Sequence, residues 1–318
     1  MTLPPTLQTG IDELLRGVGA QELERASRAL SDAYRAGGPS AARAARTPVD
    51  VAAYLATRAP ATYAAAAEVF AQISTLRPDW APASVLDLGA GPGIASWAAL
   101  EAWRAITAVT CIEAEPAMAR AGTTLAAHGQ EGLRQAIWTV SDAGMAGARA
   151  DLVVVSYVIG ELKQGAREGL VRRAWERTGD TLVIVEPGTT AGYQRVLAAR
   201  AAVIEAGGST LAPCPHDTGC PLSEGDWCHF VTRLPRSRAH RLAKGADRGF
   251  EDEKFAYVAL SRSTSLRPEA RVIRRPDPRP GHVVLDLCTP SGAEQRTVSR
   301  HEGDVYRRAR KLRWGDAY

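Results

Sequence analysis

Between Ala83 and Gly208, short aliphatic runs alternate with helical stretches, and this rhythm constrains the fold more than any other feature of the chain. SVLDLG runs into a glycine turn, and IASWAALEAW follows as a helix. AVTCIEAE, AIWTVSD, DLVVVSYVI and TLVIVEPG continue the strand series, with PAMARAGTTLAAHG and two further helical segments among them. Such alternation predicts an α/β fold, a parallel sheet with helices on both faces. VVVSYVI and LVIVE are aliphatic almost throughout, as strands buried on both faces are. Residues 1–78 predict a helical region. IDELLRGV, AQELERASRALSDAYRA and ATYAAAAEVFAQISTL are rich in Ala, Leu, Glu and Arg with helix-like apolar spacing. Beyond Gly208 the rhythm fails. Residues 209–318 read as a cysteine-rich, basic extension with strands at FAYVALSR and HVVLDLC and a basic helix or tail at GDVYRRARKLRWGD.

The sharpest local motif is Asp87-Leu88-Gly89-Ala90-Gly91-Pro92-Gly93, between a strand and a helix. Glycines there let the backbone turn tightly and let a ligand approach without a Cβ in the way. The helix start behind them offers unpaired N–H groups. Glu113 ends the next strand, 20 residues after Gly93, where a carboxylate can accept from both hydroxyls of a ribose. The spacing is G-x-G-x-G rather than the G-x-G-x-x-G of dinucleotide binders. With Asp87 two residues before the first glycine, the motif resembles that of class I S-adenosylmethionine (SAM) methyltransferases. The resemblance implies a Rossmann-like methyltransferase core over 79–208 with SAM against Gly89, Ala90, Gly91 and Gly93 and its ribose on Glu113. It also implies adenine near Ser141-Asp142 and a methyl acceptor facing the run from Ser156 to Leu162. A tight β–α turn without ligand is the competing explanation of the glycines, and helix capping that of Asp142. No Asn-Pro-Pro-Tyr or Asp-Pro-Pro-Tyr follows the fourth strand, and no catalytic residue is assigned. Tyr157 and Glu161 are candidates for positioning an acceptor, with burial and capping as the plainer account.

Cys214, Cys220 and Cys228 form a C-x5-C-x7-C segment among prolines and glycines, and Cys288 ends the strand HVVLDLC. Three soft ligands from a loop and one from a strand suit either tetrahedral zinc or an iron–sulfur cluster. The absence of a C-x2-C knuckle favours the wider cluster. His216 and His229 keep Cys2His2 and Cys3His zinc sites open, although both read more simply as polar loop residues. Cys111, inside a strand, reads as a small buried hydrophobe. The longest aliphatic stretch, Leu152 to Ile159, is far short of the ~20 residues of a membrane span. The start of the chain has no basic-then-apolar leader pattern, so a cytoplasmic location is expected.

The net charge of +4 hides an asymmetry, because residues 230–318 are strongly basic and the rest is mildly acidic. Arg233, Arg236, Arg238, Arg241, Lys244 and Arg248 form one group. Arg271, Arg274, Arg275 and Arg279 form a second, and Arg307, Arg308, Arg310, Lys311 and Arg313 a third. Trp227, Phe230 and Trp314 are interleaved with them. Arginine forks suit phosphates and aromatic rings suit exposed bases, so RNA contact is expected.

Three segments narrow the family: Cys214-Pro215-His216-Asp217 with Cys220-Pro221-Leu222, then Trp227-Cys228-His229-Phe230, then Glu251-Asp252-Glu253-Lys254-Phe255-Ala256-Tyr257. They resemble the methyltransferase-like proteins of small-ribosomal-subunit assembly, which include a mitochondrial assembly factor and bacterial relatives; this chain reads as a bacterial member. From about Val49 onward the resemblance implies a 4Fe–4S site on Cys214, Cys220, Cys228 and Cys288, and action on the small subunit or its 16S-type rRNA. Two rival readings stand beside it. One is a non-catalytic RNA-binding factor that uses SAM and cluster structurally. The other is a small-molecule methyltransferase with structural zinc.

Overall fold

Alternation along β1 (Ser84–Leu88) sends Val85 to one face of the central sheet and Leu86 and Leu88 to the other. β2 (Ala108–Glu113) divides Val109 and Cys111 from Ile112 in the same way, and β4 (Ala150–Ser156) divides Leu152 and Val154 from Val153 and Val155. Both faces are covered, which is why these strands are mainly apolar. The computed structural model describes residues 1–38, 40, 44–143, 148–245, 247–263 and 267–318.

With β3 (Ile137–Val140) at one edge and β5 (Thr178–Pro187) beside β4, the first five strands run parallel in the order β3-β2-β1-β4-β5. This is the order of a doubly wound, Rossmann-like sheet. The sheet is mixed rather than wholly parallel, however. β6 (Ser209–Ala212) and β7 (Phe230–Pro235) precede a long β8 (Phe250–Ser261) that lies antiparallel against β5, with β6 beyond it. The sequence of β8 explains its double use. Its apolar half, Phe255–Ser261, is buried and completes the sheet. Its charged half, Phe250–Lys254, pairs with β7 beyond the point where the sheet's core ends.

On one face pack α1 (Pro5–Leu14), α3 (Pro48–Thr57), α4 (Ala59–Leu76), α5 (Ile94–Ala102) and α6 (Pro116–Ala126). α2 (Ala20–Ala36) lies against α3. α3 starts at a capping box, in which Thr47 and Asp50 exchange side chain-to-backbone hydrogen bonds of 3.2 and 3.0 Å, with Pro48 in the first helical position. On the other face lie α8 (Gln164–Arg177) and α9 (Thr190–Glu205); a short α7 (Glu131–Arg134) precedes β3. After β7 comes α10 (Arg238–Lys244).

A second, smaller sheet combines β9 (Arg271–Val272), β10 (Asp277–Arg279), β11 (His282–Thr289) and β12 (Gly292–Ser299), backed by α11 (Asp304–Ala309). Val272, Val283, Leu285, Leu287 and Val298 give it a core of its own. Among the described residues no helix is long and apolar enough to cross a membrane.

Candidate functional site

Strand order reverses between β1 and β4, and the C-terminal ends of strands at such a reversal are where doubly wound sheets bind ligands in a crevice. The glycine loop lies there. Gly89, Gly91 and Gly93 all have positive φ (72°, 55° and 77°). A Cβ on Gly89 would stand 2.4 Å from Cγ2 of Val158, so the loop admits no side chain at that point. Gly89 and Ala90 both donate to the Ile112 carbonyl, which holds the loop against the end of β2.

Asp87 is 1% exposed and accepts from the Ser96 hydroxyl at 2.8 Å; burial pushes its carboxyl up to about 6, with the Ser96 bonds acting against that rise. Glu113 sits across the loop. One of its oxygens accepts from the Gly91 N–H at 2.7 Å and the other from Glu115 N–H at 2.8 Å. Burial raises its carboxyl above the usual range while those backbone bonds oppose the rise. Ser141 N–H donates to the Glu113 carbonyl at 3.0 Å, which places Ser141-Asp142 beside Glu113. Asp142 is solvent-exposed. Ser156 ends β4, and its hydroxyl is buried without a hydrogen-bond partner. Thus the crevice collects Asp87, Gly89, Ala90, Gly91, Gly93, Glu113 and Ser156, with Asp142 at its rim.

Three further groups here escaped the sequence reading. Trp138 of β3 lies within 3.1 Å of where a Gly93 Cβ would stand, and its indole N–H is buried unpaired. Tyr54 of α3 brings its hydroxyl to 3.7 Å from the corresponding Gly91 position. Tyr34 of α2 stands within electrostatic reach of Tyr54, Glu161 and Glu113. No spacing rule connects residues 34 and 54 to a loop at 89–93, because only the tertiary packing of the helical region over the crevice joins them.

The turn after β4 is anchored from beneath. Glu186 accepts from the Ile159 and Gly160 N–H groups and pairs with Arg195 at 2.6 Å. Tyr157 adopts φ +62°, uncommon for a side chain of that bulk, and donates its hydroxyl to Glu253 at 2.9 Å. Glu161 has no hydrogen-bond partner among the described residues, and burial together with Glu113 and Glu186 pushes its carboxyl up to about 8.

The second site is the cysteine cavity. Cys214, Cys220, Cys228 and Cys288 line one hollow of about 550 Å³, solvent-open space included, between α9, β8 and the small sheet. None is disulfide-bonded. Burial raises the thiols of Cys214 and Cys228, and pushes that of Cys288 up to about 12. The hydroxyl of Tyr193 donates to the Cys220 sulfur at 2.9 Å. Among the described residues no three His, Cys, Asp or Glu groups are disposed to hold a single metal ion. His216 is buried, with Nε2 3.5 Å from the Cys288 sulfur, which the polar-loop reading missed. His229 stacks on Trp227 and meets Trp314 edge-on. Those two tryptophans and Phe230, which packs on Phe255 and Tyr257, are therefore engaged within the protein. Cys111 is buried in β2, away from the cavity.

The basic groups divide. Arg233 pairs with Asp252 at 2.7 Å, Arg236 and Lys244 with Glu251 at 3.1 and 2.6 Å, and Arg274 with Asp226 at 2.5 Å. Arg279, Arg307 and Arg313 pair with Asp277, Asp304 and Asp316. Arg271 is 1% exposed, so its inclusion among surface phosphate contacts is corrected: the side chain turns inward to the cysteine cavity. Arg238, Arg241, Arg248, Arg275, Arg308, Arg310 and Lys311 remain exposed, with no ion pair among the described residues.

A family model described as mitochondrial small ribosomal subunit Rsm22 matches residues 48–318. The human mitochondrial ribosome assembly protein METTL17 is 31% identical over 288 residues, covering 83% of this chain and 61% of its own length. A Schizosaccharomyces pombe protein, the mitochondrial Rsm22-cox11 tandem protein 2, is 25% identical, covering 86% of this chain and 43% of its own. The chain therefore spans well under two thirds of these relatives, both of them eukaryotic mitochondrial proteins. Among solved structures, the magnesium protoporphyrin IX methyltransferase of Synechocystis with bound SAM is 15% identical, with a TM-score of 0.43 over 64% of this chain and 80% of that one.

Proposed function

The chain belongs to the Rsm22 family of the mitochondrial small ribosomal subunit, and from that premise we propose that it is a methyltransferase-like assembly factor of the small ribosomal subunit, holding SAM in its crevice and a 4Fe–4S cluster on Cys214, Cys220, Cys228 and Cys288. The observation that carries the reading is the meeting of four thiols, from positions 214 to 288, around one cavity.

Four thiols on one hollow are the donor set that a four-thiolate cluster needs, and a tetrahedral zinc could use the same ligands. The crevice fits SAM by its own chemistry. The loop carries no side chain at Gly89, Gly91 or Gly93, the carboxylate of Glu113 lies against the Gly91 N–H, and the Ser156 hydroxyl lacks a partner among the described residues. When bound, SAM supplies an electrophilic methyl on a sulfonium. Glu113 would orient the nucleoside, while Trp138 and Tyr54 would narrow the crevice against water.

RNA of the 16S type is the proposed acceptor surface, met through the exposed cations Arg238, Arg241 and Arg248 on one side and Arg308, Arg310 and Lys311 on the other. One observation favours a second, binding-only reading. After β4, Tyr157 and Glu186 spend their polar atoms on Glu253, Arg195 and the local backbone, so that of this turn's acids only Glu161 stands without a partner among the described residues.

Anaerobic purification with iron, sulfide and visible-absorption analysis tests the cluster. Iron and sulfide with brown colour are expected; zinc alone would reject it. Tritiated SAM with immature small subunits tests turnover. Subunit binding without label transfer would leave the binding-only reading.

A further inference from the structure

Two arginines lie buried against the cysteine cavity with no ion pair to an acid among the described residues. Arg200, on α9, is 5% exposed. Its guanidinium donates to the Thr210 hydroxyl at 3.1 Å and to the carbonyls of Thr218 and His216 at 3.0 and 2.5 Å. Arg271, on β9, donates to the Pro213 carbonyl at 2.8 Å, to Gln72 Oε1 at 2.9 Å and to the Gly315 carbonyl at 2.8 Å. Its Nη2 is buried with no hydrogen-bond partner among the described residues. Every acceptor named is neutral. Two part-buried arginines elsewhere do have carboxylates: Arg195 has Glu186 and Arg77 has Asp180.

A guanidinium cannot shed its proton, and a buried charge without a counter-ion is strongly unfavourable. Two such cations on one cavity mark the place of an anion, and among the described residues the cavity's acid-forming lining groups are the four thiols and the hydroxyls of Tyr193 and Tyr257. Four thiolates around a resting cubane core make a dianion, which two guanidiniums balance.

We infer that Arg200 and Arg271 are the counter-charges of the four-cysteine centre, with the free Nη2–H of Arg271 donating to it, and that together they set its reduction potential. The inference rests on the cluster reading above. Net charge and hydrogen bonds to sulfur tune such potentials. Reduction adds negative charge, so both cations favour the reduced form. Arg271 also joins the centre to α4 through Gln72 and to the chain's last residues through Gly315.

The test is anaerobic reconstitution with ferrous iron and sulfide, followed by a potentiometric titration read by electron paramagnetic resonance. The proteins are wild type, Arg271→Gln, Arg271→Lys and Arg200→Gln. Both Gln variants are expected to stabilise the reduced form at least about tenfold less, a shift of about 59 mV to more negative potential for one electron. Arg271→Lys, which keeps the charge, should recover most of that shift. Gln variants that load iron and sulfide and titrate with the wild type would overturn the inference. Failure of the wild type itself to take up iron and sulfide would instead overturn the cluster reading beneath it. Should the Gln variants not fold, 15N-arginine-labelled wild type decides. Its reduced centre is expected to show hyperfine coupling to a guanidinium nitrogen, and no coupling would refute the contact.

Discussion

Replacing Gly89 with alanine tests how tightly the loop and the turn after β4 are locked together. The position has φ +72°, and the new methyl would stand 2.4 Å from Cγ2 and 2.9 Å from Cγ1 of Val158. Valine is branched at Cβ and stiff at χ1, so it cannot swing clear. Left-handed backbone in a residue with a Cβ costs about 1–2 kcal/mol, and forcing a methyl into filled space typically costs about 1–3 kcal/mol. The sum is about 2–5 kcal/mol, to be read by equilibrium urea unfolding of the metal-free, SAM-free protein. Val158→Ala separates the two parts. In the double variant the clash disappears while the backbone strain stays, so the two substitutions should couple favourably by about 1–3 kcal/mol. Single-variant unfolding within about 0.5 kcal/mol of wild type, or strict additivity in the double variant, would refute the reasoning.

Glu161 gives a pH signature. Its folded pKa is raised from 4.5 to about 8, so the folded state holds its proton more tightly than the unfolded chain, and this contribution to stability falls as pH rises from 4.5 through 8. Glu161→Gln should therefore gain on wild type across that window in urea titrations at successive pH values; a constant difference would contradict the assignment. Glu186→Ala leaves Arg195 buried without its acid and frees the Ile159 and Gly160 amides, a loss of about 3–5 kcal/mol by the same assay. In RNA-binding titrations against salt, Arg238→Ala and Arg241→Ala should each lower the slope by about one unit. Arg233→Ala, whose charge is already matched by Asp252, should change it less, and equal effects would show that the pairing does not matter.

The strands most legible in the sequence are those buried on both faces. β1, β2, β4 and β5 announce themselves because their apolar residues run on almost unbroken where both sides are covered, with buried exceptions such as Asp87 and Glu186 held by hydrogen bonds. β7 was hidden within a stretch that reads simply as basic, since Phe230, Thr232 and Leu234 point inward while Arg233 and Pro235 are exposed and the basic run continues beyond them. β12 is mostly polar and exposed, with Val298 as its buried anchor, and only its pairing with β11 reveals it. The reversal at β8 was equally invisible, because an antiparallel and a parallel buried strand have the same composition. At the site, the cysteines were legible as soft ligands crowded among turn residues. Arg200 and Arg271 were not. One sits in an ordinary helix and the other in an arginine-rich run, and sequence carries no mark that separates a solvated guanidinium from one folded inward.

β8 touches both chambers of the molecule. Glu253 receives the hydroxyl of Tyr157 at the crevice, and Ala256, Tyr257 and Val258 wall the cysteine hollow. At about 3.3 Å per residue, the two points are about 10 Å apart along one extended rod. A single extended backbone thus carries both the acceptor of the Tyr157 hydroxyl and one wall of the sulfur-lined hollow.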